Sequence, residues 1–241
     1  MFNWFSRKPL RDVGQPPETV SPATPLVVVG DIHGRNDLLQ RVLAGVDAAH
    51  TVVCVGDYVD RGDESAAVLR SLAARPEIIC LLGNHEAMML DFIDAPEQTG
   101  NRWMRYGGLQ TVASFGISGV HENADADKMK AARDALVAAM GADLIGWLRR
   151  LPTHFISGNV AVVHAGADPY APLDDQARRN LIWGHPDFGT VARPDKMWVI
   201  HGHTIVDAPM VNNGCVAIDT GAYATGRLTA VVVTDQGFAF R

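Results

Sequence analysis

The sequence predicts an α/β fold of two packed mixed sheets flanked by helices, on three observations. Apolar runs at 26–29, 52–55 and 78–82 each end in a polar cluster. The clusters are evenly spaced, with Asp31, Asp57 and Asn84 standing 26 and then 27 positions apart. That interval holds one strand–helix–strand crossover, the connection that parallel neighbours require. The second half of the chain carries five strand-like runs with no long helix between the last three, the pattern of a mixed or antiparallel sheet.

Taken in order, residues 12–25 contain Pro16, Pro17, Pro22 and Pro25 among Gly, Ser and Thr. They read as an extended linker that completes an N-terminal arm, residues 1–25, so that the folded domain spans 26–241. After the first cluster, Leu38, Leu39, Val42, Leu43 and Val46 give a helical stripe. After the second, Asp63 or Ser65 is placed to cap a helix carrying Val68, Leu69 and Leu72. Residues 87–152 break the rhythm with Trp103, Tyr106 and the Gly107-Gly108 pair. An Ala-rich helix over about 125–140 stops at Gly141, and a short one through Trp147 and Leu148 ends before Pro152. This stretch reads as a helical cap inserted between the two halves of the sheet. Further strands fall at 154–156, 160–164, 197–201, 211–219 and 228–234.

Composition sets bounds. With 241 residues, 47% of them hydrophobic, the chain can build a large core without disulfides. Net charge is −6, which argues against nonspecific nucleic-acid binding while leaving room for a local basic cleft. Cys54, Cys80 and Cys215 lie in apolar runs with no C-x-x-C spacing, so they read as small core residues of a protein in the reducing cytoplasm. No apolar run reaches the roughly 18 residues of a membrane span. The start, with Phe2, Trp4 and Phe5 beside Arg7, Lys8 and Arg11, lacks the apolar core of a signal peptide. It reads as a flexible arm or one packing on a neighbouring surface, with at most weak membrane-surface contact and no stable membrane insertion.

The clusters carry the chemistry. In an open α/β sheet, sites form at the carboxyl ends of strands. Asp31 and His33 are two apart, so on extended backbone both can ligate one ion. Asp57 ends the next strand, and its two oxygens can bridge two ions. Asn84 offers a neutral oxygen at the third. Far along the chain, His164 in Val-His-Ala-Gly and His203 in His-Gly-His-Thr again follow apolar runs. A second ion then has Asp57, Asn84, His164 and His203, with His201 read as supporting His203. Mixed imidazole and carboxylate donors suit manganese, iron or zinc better than magnesium alone. Two ions sharing one carboxylate sit about 3.5–4 Å apart and serve in-line displacement at phosphorus, with a shared hydroxide in place of a Ser or Cys nucleophile. Arg61 can clamp phosphate oxygens as a fork. His85, oriented by Asp60, can protonate the leaving oxygen.

These residues match a family. G-D-x-H-G at 30–34, G-D-x-V-D-R-G at 56–62 and G-N-H-E at 83–86, followed by H-A-G at 164–166 and H-G-H-T at 201–204, resemble the phosphoprotein phosphatase branch of the calcineurin-like metallophosphoesterases. The likeness is nearest to the bacterial and phage-lambda-type serine/threonine phosphatases, and segment 218–222 shares it. The resemblance covers residues 26–234. It implies a β-sandwich with flanking helices, and two divalent ions, manganese first among them. Asp31, His33 and Asp57 would hold the first ion, and Asp57, Asn84, His164 and His203 the second. Arg61 and Asn84 would bind the phosphoryl group, with His85 and Asp60 as the proton donor pair.

One departure stands out. Phage-lambda-type members carry a second phosphate-clamping Arg two residues past the Trp of a Leu-x-Trp segment. Here Leu181-Ile182-Trp183 leads to His185 in that place, with Arg178, Arg179 and Arg193 as nearby substitutes. The resemblance implies a phosphoserine/phosphothreonine protein phosphatase. The same chemistry on a dinucleoside polyphosphate is the alternative, and Gly-Asn-His-Glu rather than Gly-Asn-His-Asp leans to the first. A non-catalytic binding module is the third reading, which six intact ligands oppose.

Overall fold

In the computed structural model, which describes residues 15–241, the first apolar run forms β1 (Leu26–Val29) and is followed by α1 (Asn36–Ala44). The second and third runs form β2 (Thr51–Cys54), followed by α2 (Ser65–Ala73), and the short β3 (Ile79–Cys80). A helical stretch follows: α3 (Asn84–Asp94), α4 (Pro96–Trp103), a π-helical turn over Met104–Gly108, α5 (Leu109–Ser114) and α6 (Ala126–Arg149). The chain then forms β4 (His154–Ser157), β5 (Val160–Val163), α7 (Arg178–Trp183), β6 (Trp198–His201), β7 (Met210–Asn212), β8 (Cys215–Ala217), α8 (Ala222–Thr225), β9 (Ala230–Thr234) and β10 (Gly237–Phe240).

The strands make two mixed five-stranded sheets, ordered β10-β9-β1-β2-β3 and β4-β5-β6-β8-β7. β1, β2 and β3 are parallel, with Val29 opposite Cys54 and Cys54 opposite Cys80. Alternate residues of β1 face two cores, because successive side chains of a strand point to opposite faces. Leu26 and Val28 join Val53, Val55 and Leu81 against Val160, Val162, Ile200 and Val216 of the second sheet, which makes the sandwich interior. Val27 and Val29 face the helices, where Leu39, Leu69, Phe92, Trp103 and Leu136 fill one cluster. All four β1 side chains are buried, each worth about 1.5–3 kcal/mol on the usual area scale. Burial on both faces is why this strand reads as an unbroken apolar run. α7 covers the outer face of the second sheet through Leu181 and Ile182.

The structure differs from the sequence reading in five places. The strand expected over 211–219 is a hairpin, β7 and β8 paired antiparallel with Val211 opposite Val216. β9 does not continue the second sheet but crosses to pair antiparallel with β1, Val27 opposite Val232. β10, unforeseen, pairs with β9 at the edge. No side chain caps α2: the Ser65 hydroxyl instead accepts the buried amide of Asp60 at 3.1 Å. The described part of the Pro-rich segment is docked rather than free. The Thr19 carbonyl accepts both Asn159 Nδ2 (2.8 Å) and the Trp198 indole N–H (2.9 Å), and the Ser21 and Ala23 amides donate to Asn159 Oδ1 and Ser157 Oγ. The aromatic-basic start at 1–11 lies outside the described residues.

The helices of 87–152 share the core cluster of α1 and α2. Asp125 caps α6 by accepting the Lys128 amide at 2.9 Å, and Gly141 breaks that helix at φ 77°, ψ 162°. Cys54, Cys80 and Cys215 are free and buried. No helix of the described residues is long and apolar enough to cross a membrane.

Candidate active site

The loops after β1, β2 and β3 are sewn together at the sheet edge. The Ile32 and His33 amides both donate to the Asp57 carbonyl, at 3.1 and 2.8 Å. The Glu86 carboxylate, in the first turn of α3, accepts the amides of Asp57 (2.8 Å), Tyr58 (2.7 Å), Val59 (3.2 Å) and Gly83 (3.0 Å). These bonds hold strained backbone. His33, Asp57, Asp60, Arg61 and His203 all have positive φ, between 43° and 72°. Such conformations cost about 1–3 kcal/mol each and persist where surrounding structure over-determines them. A Cβ on Gly83 would lie 2.2 Å from Asp57 Oδ1, so only glycine lets this carboxylate sit against the helix start.

Asp57 faces two groups at once. Its Oδ2 is 3.6 Å from His33 Nε2 and 3.9 Å from His85 Nε2. Its Oδ1 is 3.4 Å from His164 Nε2 and accepts the His85 amide at 3.0 Å. Asn84 Oδ1 stands 2.8 Å from His164 Nε2 and 2.9 Å from His203 Nδ1. Two donor clusters result, His33–Asp57–His85 and Asp57–His164–His203, with Asp57 common to both. His33 Nδ1 donates to the Val59 carbonyl at 2.8 Å, which leaves Nε2 with its lone pair inward.

Asp31 lies between these groups and the second sheet. Its Oδ2 accepts the His203 amide at 3.0 Å, while its Oδ1 is buried with no hydrogen-bond partner. Burial, then the charges of Asp219 and Asp57, push the Asp31 carboxyl well above the ordinary range. A buried carboxylate oxygen without a donor, facing two further carboxylates, is a place where a cation fits. Burial lowers His33 to about 3 and His164 to about 4, and lowers His203 too, so all three are neutral imidazoles, the form that ligates. Burial opposes charge on Asp57, but the surrounding histidines and the His85 amide hold its carboxyl below the usual range. The donor set of imidazole, carboxylate and amide oxygen therefore fits two divalent ions of the manganese, iron or zinc type.

His85 Nδ1 meets Asp60 Oδ2 at 2.6 Å. Asp60 is fully buried and saturated: the Trp103 indole N–H reaches Oδ2 at 2.9 Å, and the Thr111 hydroxyl donates to Oδ1 at 2.6 Å. Burial alone would lower the His85 imidazole, but Asp57 and Asp60 outweigh it and raise it above its ordinary value. Arg61 Nη1 stands 3.0 Å from His33 Nε2, and its guanidinium lies 4.9 Å over the Tyr223 ring.

A family profile of calcineurin-like phosphoesterases matches residues 24–216. The chain belongs to the calcineurin-like phosphoesterase family. It is 43% identical over 219 residues to serine/threonine-protein phosphatase 2 of Salmonella typhimurium, covering 84% of this chain and 89% of that one. It is 27% identical over 230 residues to the asymmetrical bis(5'-nucleosyl)-tetraphosphatase of Bacillus velezensis, covering 84% and 86%. A serine/threonine phosphatase structure from Saccharomyces cerevisiae with similarity to human phosphatase PP5 shares the fold at TM-score 0.59 and 18% identity, covering 94% of this chain and 83% of that one.

Within this calcineurin-like phosphoesterase, the structure brings Asp31, His33, Asp57, Asn84, His85, His164 and His203 together, with Asp60 behind His85 and Arg61 beside His33. His201 stays out: its Nδ1 faces the Gly202 carbonyl and its ring packs edge-on to Phe188. His185 is not among them either. It faces Asp168 at 4.0 Å and accepts the Asp187 amide at 3.2 Å, because Gly184, at φ 88°, turns the chain after α7. Of its nearby substitutes, Arg193 is buried and bound to Asp195 and to the Asp168 and Ala171 carbonyls. Sequence reasoning gave no role to Glu86, Trp103, Thr111, Tyr223 or Asp219. Glu86 and Asp219 lie inside quoted motifs, which is a usable signal. Trp103 and Thr111 act from 43 and 51 residues beyond Asp60, and nothing in the local pattern marks them.

Proposed function

We propose that this calcineurin-like phosphoesterase is a metal-dependent phosphomonoesterase acting on phosphoserine and phosphothreonine in proteins. The observation that carries the protein-directed reading is the 43% identity, spanning most of both chains, to serine/threonine-protein phosphatase 2 of Salmonella typhimurium. A tetraphosphatase reading has the weaker support of relatives such as the 27% identical protein of Bacillus velezensis. Three buried thiols favour a reducing, cytoplasmic setting.

Two divalent ions, manganese first, held by Asp31, His33 and Asp57 and by Asp57, Asn84, His164 and His203, would supply Lewis-acid activation of the phosphoryl group and of the attacking water. The remaining steps belong to the chain. Arg61 turns its fork from His33 Nε2 to two phosphoryl oxygens. Asn84, at the start of α3, orients the same group. His85 is kept protonated by its carboxylate neighbours and delivers its Nε2 proton to the departing seryl oxygen. Asp60, locked by Trp103 and Thr111, fixes the ring through Nδ1 and stabilises its charge. No side chain is acylated or phosphorylated.

The test is turnover of p-nitrophenyl phosphate, phosphoserine peptides and diadenosine tetraphosphate by the purified chain with manganese, iron or zinc. Phosphopeptide turnover above that of the dinucleotide is expected. Dinucleotide cleavage without phosphopeptide cleavage would replace the protein-directed reading, and no turnover of any substrate would remove both.

A further inference from the structure

A groove of about 630 Å³ opens beside the candidate metal site, walled by α3, the end of α4 and α7. Three arginines line it: Arg102 from the end of α4, and Arg178 and Arg179 from the start of α7. All three are exposed, and among the described residues none forms a hydrogen bond or an ion pair with a carboxylate. Other arginines of the chain are paired with carboxylates, as Arg35 is with Asp37, Arg149 with Asp94 and Arg193 with Asp195. Asp91 is the one acid in the groove, so the groove carries a local positive charge in a chain of net charge −6.

The groove is tied to the reacting centre through Trp183. The Arg102 guanidinium lies 5.5 Å over the Trp183 ring, and that ring packs edge-on to His203 at 6.3 Å. Arg102 also follows directly along α4 to Trp103, whose indole holds Asp60, so its backbone is anchored at the site. His185, which stands where the family resemblance placed a second anion clamp, is turned to Asp168, while these arginines remain available.

Resting on the protein-directed reading above, we propose that this groove is a specificity site for an acidic or phosphorylated side chain flanking the phosphoserine. Guanidinium forks match carboxylate and phosphate oxygens in pairs. An open, solvated groove suits side chains of an extended peptide rather than an enclosed small molecule. Exposed pairs of this kind are individually weak, so two or three together give about a tenfold preference, reduced by added salt.

The experiment compares kcat/KM for two matched phosphoserine peptides, one flanked by Glu and one by Gln, with diadenosine tetraphosphate as a third substrate. The expected result is about a tenfold preference for the Glu peptide. That ratio should fall towards one in R178A/R179A and in R102A, and be only partly kept in R178K/R179K, which retains the charge and loses the paired fork. Because the readout is a ratio within each active variant, a general loss of rate does not imitate it. Equal kcat/KM for the two peptides in the wild type overturns the groove's role and leaves the phosphatase reading standing. Absence of turnover on both peptides, with p-nitrophenyl phosphate still cleaved, overturns both. An unchanged ratio in R178A/R179A and R102A also overturns the proposal. So does a loss confined to diadenosine tetraphosphate, which would give the groove to a polyphosphate chain.

Discussion

His85 Nδ1 and Asp60 Oδ2 stand 2.6 Å apart, in a pair of which neither residue is more than 1% exposed. Asp60 has no solvent to satisfy it and draws on Trp103, Thr111 and Ser65 instead. Five elements therefore converge to set one imidazole: the loop after β2, the start of α2, α3, the end of α4 and α5. The arrangement fits the proton-donor role proposed for His85, with its protonation governed by a neighbour rather than by water.

His85→Asn should lower kcat on phosphoserine peptides by about 10²–10⁴-fold. The loss should be much smaller on p-nitrophenyl phosphate, whose leaving group departs without a proton. Equal losses on the two substrates would remove the proton-donor role.

The pH profile carries a sign. A group that must donate its proton loses activity as pH rises through its pKa, and the carboxylates raise His85 above its ordinary value. Asp60→Asn removes part of that support, so the alkaline limb of kcat should move to lower pH. Trp103→Phe takes one N–H from Asp60 and should lower kcat with little change in KM. Movement of the limb to higher pH in Asp60→Asn would contradict the assignment.

Gly107 sits at φ 114°, and a Cβ there would lie 2.6 Å from the Arg61 backbone nitrogen. Gly107→Ala is therefore expected to destabilise the fold by about 1–3 kcal/mol, seen as a lower Tm, and to reduce kcat/KM by displacing Arg61. An unshifted Tm with full activity would show that the contact between the π-helical turn and the catalytic loop does not matter.

Removing metal should abolish turnover and lower Tm, since a ligand that binds only the folded state stabilises it by mass action. Without ions, Asp31 retains a buried oxygen with no partner and two carboxylate neighbours. Asp31→Asn should therefore narrow the Tm gap between apo and loaded protein, as read by differential scanning calorimetry across a manganese titration.

Much of this was legible in the chain. Each parallel strand buries both faces, so it reads as an apolar run, and each candidate ligand follows closely on such a run: Asp31 after β1, Asp57 after β2, Asn84 after β3, His164 after β5 and His203 after β6. What escaped depends on contacts distant in sequence. β9 has the same apolar character whichever sheet it joins, so its pairing with β1 is not encoded locally. Trp103 and Thr111 lie in a helical stretch whose other large residues are ordinary core, and only their approach to Asp60 distinguishes them. His185 follows the expected Trp at the expected spacing, yet after the turn at Gly184 it faces Asp168 and accepts the Asp187 amide. Motif position alone does not report that turn.

Asp57 stands between the two donor clusters, Oδ2 facing His33 and Oδ1 facing His164, placed to be shared by two ions. Anomalous diffraction from manganese-loaded crystals tests that sharing most directly. Two peaks about 3.5–4 Å apart, one on each oxygen of Asp57, are predicted, with both lost in Asp57→Asn. A single peak in the wild type, or two peaks that persist in Asp57→Asn, would contradict the bridging site.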